Sequence, residues 1–143
     1  MIIGIASDHG GYTLKEQITN FLTRKLHIVK DFGTYSITSC DYPDYANLVC
    51  DAVEHGEVKY GILICGTGIG MSMVANRNPA IRAGLCKDTE TALLTRQHND
   101  ANILCLGARV TNPSLVNNIV NTFLETQFDG GRHQKRLDKL WAI

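Results

Sequence analysis

The segment ICGTGIGMS, residues 64–72, places a cysteine and three alternating glycines directly after the apolar run of residues 61–64. An apolar run that ends in a glycine loop and continues into a helical pattern predicts a buried strand, a tight loop and a helix. Glycines let backbone N–H groups approach a ligand closely, and the start of a helix favours negative charge. The segment therefore predicts an anion site. The anion is either a phosphate or an oxyanion that forms only during a reaction.

The same strand–loop–helix pattern extends over the rest of the chain. Predicted strands are residues 2–6, 27–32, 60–64, 83–86 and 103–106, most of which are short apolar runs. Helical patterns of roughly 10 to 15 residues alternate with them, which is typical of βαβ units and a parallel sheet. We therefore predict one α/β domain over residues 1–143, a three-layer α/β/α sandwich around a five-stranded parallel, Rossmann-like sheet. A last helix is expected over about 131–142.

Composition narrows the classes of function. The chain carries 14 basic and 14 acidic side chains, and this zero net charge argues against a nucleic-acid binder. No apolar run approaches the roughly 20 residues of a membrane span, and the N-terminal segment indicates a strand rather than a signal peptide. The five cysteines form no CxxC pair or Cys/His cluster. We therefore expect reduced thiols in a cytoplasmic protein, with neither a disulfide framework nor a zinc site.

Two unusual loops are expected to meet at one edge of the sheet. Ligands of parallel sheets bind beyond the carboxyl ends of the strands, near the point where the strand order reverses. In the common flavodoxin-like order that point lies between the first and third strands. Here these two strands precede Asp8-His9-Gly10-Gly11 and residues 65–70. The fold thus predicts a carboxylate, an imidazole, a thiol and the glycine loop in one crevice.

A dinucleotide is one alternative ligand for the glycine loop. Its fingerprint is GxGxxG with an acidic residue about 20 positions later. Here Gly66, Gly68 and Gly70 are spaced GxGxG, one residue short, and they follow the third strand rather than the first. Asp88 does stand near the expected acidic position, so the residues alone leave this alternative open.

Cys65 favours a reaction over simple phosphate binding. A thiolate is stabilised at the positive end of a helix, where it can accept a proton from carbon while nearby amides receive the developing negative charge. This is the layout for proton abstraction next to a carbonyl. The alternative is a small buried hydrophobe at a strand end, which we expect of Cys86 and Cys105. Thr67 is not basic, but its hydroxyl could hydrogen-bond a substrate oxygen.

Cationic side chains cluster in the C-terminal segment GGRHQKRLDKLWAI, residues 130–143. Arg132 and Arg136 are four positions apart, so one helix face carries both, and His133 lies between them. Cations in the first turn of a helix are unfavourable with its dipole, which fits a site that holds an anion. A solvated basic face is the alternative. Arg109 follows the fifth strand, at an edge where an arginine suits phosphate binding.

His98 and Asn99 precede the fifth strand, in RQHNDAN. The loop before a strand lies at the amino edge of a parallel sheet, on the wrong side for a site at the carboxyl edge. If His98 is catalytic, either a neighbouring subunit supplies it or the helix before it is short and irregular.

Taken together, these residues resemble the ribose-5-phosphate isomerase type B family, to which galactose-6-phosphate isomerase subunits also belong. The matching stretches are SDHGGYTLK (7–15), DYPDYA (41–46), GILICGTGIGMSMVANR (61–77), TRQHNDANIL (95–104), LGARV (106–110) and GGRHQKR (130–136). They span nearly the whole chain and are specific in combination. The resemblance implies an aldose–ketose isomerase of a phosphorylated sugar that uses no metal or organic cofactor.

The resemblance also implies roles for individual residues. Cys65 resembles the base that moves a proton between C1 and C2 of the sugar, with Thr67 at the sugar oxygens. His98 resembles the acid that helps to open the sugar ring, with Asp8 assisting. The backbone of the loop resembles the hole for the enediolate, at Gly66, Gly68, Ile69 and Gly70. The other implied substrate contacts are Tyr42 and Asn99 at the sugar, His9, Arg109, Arg132 and Arg136 at the phosphate, and His133 nearby.

Met71 stands where some members of the family carry a glutamate in place of the cysteine, so the resemblance assigns this chain to the thiol branch. It implies homodimers, or dimers of dimers, with shared active sites and with the C-terminal helix packed on a partner subunit. The first expected function is interconversion of ribose 5-phosphate and ribulose 5-phosphate. The alternatives are the same chemistry on galactose or allose 6-phosphate, and a non-catalytic phosphosugar sensor. No nucleic-acid or membrane partner is expected.

Overall fold

The computed structural model describes residues 1–141, in which five strands alternate with six α-helices. The strands are β1 (Ile2–Ser7), β2 (Ile28–Asp31), β3 (Tyr60–Cys65), β4 (Ala83–Leu85) and β5 (Ile103–Gly107). The helices are α1 (Tyr12–Arg24), α2 (Tyr42–Glu54), α3 (Ile69–Ala75), α4 (Thr89–Asn99), α5 (Pro113–Glu125) and α6 (Arg132–Leu137). A short 3-10 turn, His9–Gly11, lies between β1 and α1.

The strands are all parallel and stand in the order β2-β1-β3-β5-β4. This confirms the predicted five-stranded parallel sheet and the reversal of order between β1 and β3. The other side differs from the flavodoxin-like order, because β5 rather than β4 pairs with β3. Burial explains the exchange. Every residue of β5 is buried, as an interior parallel strand requires, whereas β4 has three residues, none of them fully buried, and stands at the edge.

Helices cover both faces of the sheet, which confirms the three predicted layers. Side chains alternate between the two faces along each interior strand. On one face, Ile62 and Ile64 pack with the apolar sides of α1 and α5. On the other face, Leu63 and Cys65 pack with α2 and α3. Cys65 thus ends a buried strand on the side of the sheet that carries α3.

Two predicted helix ends are wrong. α4 runs to Asn99, so His98 and Asn99 lie in its last turn and not in the predicted loop before β5. α6 ends at Leu137, well before the predicted end near 142, a position that lies outside the described residues. Leu140 and Trp141 are both more than half exposed. A helix extended over them would gain little burial, and short helices depend on burial for stability.

Across residues 1–141, no helix combines the length and the apolar character that crossing a bilayer demands.

Candidate active site

The glycine loop holds the Cys65 thiol at the wall of a cavity. Cys65 is the last residue of β3 and is 5 % exposed. Its Sγ accepts a hydrogen bond from the Gly68 N–H at 3.1 Å, and Thr67 Oγ1 accepts one from the Ile69 N–H at 3.2 Å. Gly68 has a φ of 77°, a value that favours glycine, and it turns the chain from β3 into α3. The sulfur is therefore paired with an amide of the loop that begins the helix.

The cavity beside Cys65 has a volume of about 400 Å³. It is lined by Asp8, Tyr42, Cys65, Gly66, Thr67, Ile69, Gly70, Met73 and Arg109. All of these except Met73 are site residues that the sequence predicted. Met73 stands four positions after Ile69 on α3, one helical turn further along, so helical periodicity could have predicted it.

Three loops form this cavity because β1, β3 and β5 are neighbours in the sheet. The Asp8 N–H donates to Ile64 O at 3.2 Å, and the buried Asp8 carboxylate accepts from the Gly11 N–H at 3.1 Å. The Arg109 N–H donates to Gly66 O at 2.9 Å. Among residues 1–141 the Arg109 guanidinium forms no ion pair with a carboxylate. Its charge is therefore available to an anion in the cavity.

Tyr42 forms a side wall of the cavity. It begins α2, and its ring lies directly on Gly70, so that a Cβ added at Gly70 would stand 2.6 Å from the ring. The close approach explains why glycine stands at this position in the loop.

His9 lies on the 3-10 turn directly after Asp8 and is half-buried. Its Nδ1 accepts a hydrogen bond from the Cys40 N–H at 3.2 Å, and Cys40 Sγ is 4.0 Å from the same nitrogen. Acceptance at Nδ1 leaves the ring proton on Nε2, which can donate to an oxyanion. The sequence could not have predicted Cys40 here, because no local pattern joins a ring to a backbone amide 31 positions away.

The remaining predicted side chains surround a second cavity, of about 340 Å³. It is lined by His98, Asn99, Arg132, His133, Arg136, Leu137 and Leu140. The rings of His98 and His133 are stacked, with 4.3 Å between their centroids. Burial lowers the pKa of His133, and the neighbouring His98, Arg132 and Arg136 lower it further. Arg132 and Arg136 are permanently charged, and their presence beside His133 suits an anionic ligand.

Arg96 fixes the two parts of this second cluster to each other. Its side chain is buried, and Nη1 donates to Asp100 Oδ1 at 2.8 Å and to Ala101 O at 2.6 Å, just after α4. Its Nε donates to Thr126 O at 3.1 Å, on the segment that leads to α6. The end of α4, which carries His98, is thereby tied to the chain that carries His133.

A metal ion fits this cluster less well than an anion does. His98, Asp129 and His133 offer ligand atoms within 4.8 Å of one another. The two rings are nearly parallel, with 13° between their planes, so their nitrogen lone pairs do not converge on one point as a tetrahedral site requires. Arg132 and Arg136 line the same cavity and would repel a cation.

The two cavities lie at opposite edges of the sheet within one chain. Cys65 pairs with Gly107 at the carboxyl edge, whereas α4 leads to Ile103 at the amino edge. Strands rise about 3.3 Å per residue, which separates the two edges by roughly 13 Å. α4 is a regular helix of 11 residues, so the expectation of a short, irregular helix that would bring His98 to its own Cys65 is wrong.

The geometry also removes the argument for a dinucleotide. Asp88 is the N-cap of α4, and its Oδ1 accepts hydrogen bonds of 2.8 Å from both the N–H and the hydroxyl of Thr91. These hydrogen bonds lower the pKa of Asp88. The acidic residue that the fingerprint would need for a ribose hydroxyl thus uses one carboxylate oxygen to cap α4.

Comparison with known proteins agrees with the fold and the motifs. A sequence model of the family described as Ribose/Galactose Isomerase matches residues 3–140. Ribose-5-phosphate isomerase B of Escherichia coli is 46% identical over 141 residues, which cover 99% of this chain and 95% of that protein. A putative sugar phosphate isomerase of Rickettsia typhi is 51% identical over 138 residues, which cover 96% of each chain.

Two solved structures extend the comparison. Ribose-5-phosphate isomerase B of Clostridium thermocellum has a TM-score of 0.97 at 51% identity, covering 98% of this chain and 95% of that one. The Mycoplasma genitalium ribose-5-phosphate isomerase B, solved with bound ribulose 5-phosphate, has a TM-score of 0.93 at 47% identity, covering 97% and 93%. Both matches extend over the motifs at both edges of the sheet. The chain therefore belongs to the Ribose/Galactose Isomerase family.

Proposed function

We propose that this protein is an aldose–ketose isomerase that interconverts ribose 5-phosphate and ribulose 5-phosphate. The observation that carries the proposal is the position of the Cys65 thiol. It accepts a hydrogen bond from the Gly68 N–H at the wall of a cavity that Asp8 and Arg109 also line. Relatives of nearly the same length bear the name of this activity, and the Mycoplasma genitalium structure contains ribulose 5-phosphate.

Cys65 is the proposed base of the isomerisation. Its thiolate takes the proton from C2 of the open aldose, the electron pair moves toward the C1 oxygen, and an enediolate forms. The proton on O2 then passes to O1, the electron pair on O2 forms the C2 carbonyl, and the double bond takes the proton back from the Cys65 thiol at C1, which gives the ketose and restores the thiolate. The backbone N–H groups of residues 66–70 stabilise the negative charge without rearranging, because the fold already holds them in place. The Thr67 hydroxyl hydrogen-bonds a sugar oxygen.

Ring opening needs an acid and a base before the proton can move between the carbons. His98 is the proposed acid, and Asp8 assists from the other side of the sugar. Since His98 and Cys65 lie at opposite edges of one chain, a partner subunit supplies His98 to the site. The same partner contributes Asn99 to a sugar hydroxyl.

The phosphate is proposed to lie between the two subunits. His9 and Arg109 bind it from the chain that carries Cys65, and Arg132 and Arg136 bind it from the partner, with His133 nearby. This arrangement requires a homodimer, or a dimer of dimers, in which the C-terminal segment packs on the partner. The phosphate does not react, but its binding energy holds C1 and C2 against the thiolate.

Replacement of Cys65 tests the proposal. Cys65→Ala removes the base while leaving the phosphate ligands in place, so turnover should fall by roughly 10³-fold while ribose 5-phosphate still binds. The measurement is solvent deuterium entering C2 of the sugar, run in parallel on ribose 5-phosphate, allose 6-phosphate and galactose 6-phosphate.

Cys50→Ala is the matched control. Cys50 is buried on α2, away from both cavities, so the same substitution there should leave turnover per folded molecule unchanged. Deuterium exchange by Cys65→Ala at the wild-type rate would contradict the assignment of Cys65 as the base. If the wild-type protein exchanges deuterium faster with either hexose phosphate than with ribose 5-phosphate, that hexose phosphate is the substrate instead.

A further inference from the structure

Lys15 is a buried cation that the proposed chemistry does not use. Its side chain is 0% exposed, and Nζ forms an ion pair with Asp31 Oδ2. The rings of Tyr12 and Tyr35 flank the ammonium, with centroids 5.5 and 5.4 Å from Nζ. Burying a charged group is costly unless it is paired and hydrogen-bonded.

Asp31 also accepts hydrogen bonds from the segment that follows β2. Its Oδ1 accepts from the Gly33 N–H at 2.9 Å, and its backbone O accepts from the Tyr35 hydroxyl at 3.0 Å. The next two peptides are fixed against β1. The Ser7 N–H donates to Gly33 O at 2.7 Å, and the Thr34 N–H donates to Ser7 O at 2.8 Å. Residues 31–35 are thus attached to the strand end that precedes Asp8.

His9 lies between the two segments that the Lys15–Asp31 pair joins. One is the turn of residues 9–11, which leads directly into the first turn of α1, where Lys15 stands. The other is the loop that starts at Asp31 and reaches Cys40, whose N–H donates to His9 Nδ1 at 3.2 Å. Movement of either segment would change the direction in which the imidazole Nε2–H points.

We propose that Lys15 is a positioning residue for anion binding. Through Asp31 it clamps the turn before α1 to the loop after β2, and this clamp keeps the Cys40 amide on His9 Nδ1 so that Nε2–H faces the substrate phosphate. The inference rests on the proposed function, which makes His9 a phosphate ligand.

Lys15→Met tests this role, because methionine keeps most of the length of the side chain and removes the charge. The Michaelis constant for ribose 5-phosphate and the inhibition constant of inorganic phosphate should both rise about tenfold, the loss of one hydrogen bond to a charged group. The kcat should change much less, because neither Cys65 nor the glycine loop is touched. Lys25→Met, at an exposed position just after the same helix, is the matched control and should change neither constant.

A double-mutant cycle separates positioning from general loss of stability. If Lys15 acts through His9, the double variant Lys15→Met/His9→Asn should bind phosphate no more weakly than His9→Asn alone. Additive losses would overturn the proposal, as would normal phosphate affinity in a folded Lys15→Met protein. If Lys15→Met does not fold, Asp31→Asn removes the same ion pair at a partly exposed side chain and should weaken phosphate binding in the same way. Lys15→Arg keeps the positive charge and should therefore bind phosphate as tightly as the wild-type protein.

The ring nitrogens of His9 give a readout that does not depend on activity. Their ¹⁵N shifts should report protonation at Nε2 in the wild-type protein and a mixture of tautomers in Lys15→Met or Asp31→Asn. Unchanged shifts in a folded variant would refute the clamp even if the protein isomerised no sugar. Absence of isomerisation in the wild-type protein, with the expected shift change in the variants, would reject only the proposed function.

Discussion

The cysteine side chains of this protein differ in the groups that surround them. Burial raises the pKa of Cys50 to about 12 and that of Cys86 to about 11, and it also raises the pKa of Cys105. Cys65 is nearly as buried, yet its Sγ accepts a hydrogen bond from the Gly68 N–H and lies at the wall of the cavity lined by Asp8 and Arg109. Cys86 provides the sharpest comparison, because it too lines a cavity, of about 340 Å³.

Alkylation at the residue scale should separate Cys65 from Cys86. At pH 8 a thiol with a pKa of about 11 is roughly one part in a thousand thiolate, and the thiolate is the nucleophile. Iodoacetamide should therefore modify Cys65 well before Cys86, and ribose 5-phosphate should slow the modification of Cys65. Peptide mass spectrometry over a time course measures both rates. Equal rates at the two positions would contradict the assignment of Cys65 as the base.

The turn from β3 into α3 sets the position of the thiol at the scale of the element. Gly68 combines a φ of 77° with close packing, since an added Cβ would lie 2.5 Å from Leu85 Cδ1 and 2.9 Å from the carbonyl carbon of Leu106. Gly68→Ala should therefore lower the free energy of unfolding by about 2 kcal/mol or more and reduce turnover, because the amide that meets Cys65 must shift.

Gly56→Ala is a control for the backbone part of this effect. Gly56 has a similar φ of 74°, but nothing lies within 4 Å of an added Cβ. Gly56→Ala should lower the free energy of unfolding by about 1 kcal/mol, because of the left-handed backbone alone, and should leave turnover unchanged. Chemical denaturation of both variants measures the difference. Equal losses of stability would show that packing around Gly68 does not matter.

The sequence predicted the strands but not their complete order in the sheet. Every strand was predictable to within about two residues. β1, β3 and β5 are buried and therefore appear as continuous apolar runs, whereas β2 and β4 are edge strands that stand between helical patterns and turn residues. The exchange of β4 and β5 was not predictable from periodicity, because it depends on which of two apolar runs is long enough to be covered on both sides. The contact of Cys40 with His9 depends on the path of a loop whose exposed residues carry no periodic signal.

At the scale of the whole molecule, the proposed site residues form two groups that lie around two separate cavities of one chain. Cys65 and its loop lie at the carboxyl edge of the sheet, whereas the cluster around His98 lies at the amino edge. The sequence predicted this conflict from the place of RQHNDAN before β5. The homodimer proposed above resolves it, because an isologous two-fold dimer repeats each contact twice and so forms two composite sites.

Mixing two inactive variants tests the composite site. Under the proposal, Cys65→Ala and His98→Asn should each disable both sites of the homodimer. In a mixed dimer, one site carries both substitutions, while the other combines the intact Cys65 of one chain with the intact His98 of its partner. Unfolding and refolding an equimolar mixture should therefore restore about a quarter of the wild-type activity, since half of the dimers are mixed and each has one working site of two.

Mixing Cys65→Ala with Thr67→Ala is the matched control, because both residues lie on the same side of the site and no wild-type site can form. A mixture of Cys65→Ala and His98→Asn that stays inactive, although mass spectrometry finds mixed dimers, would show that the partner does not supply His98.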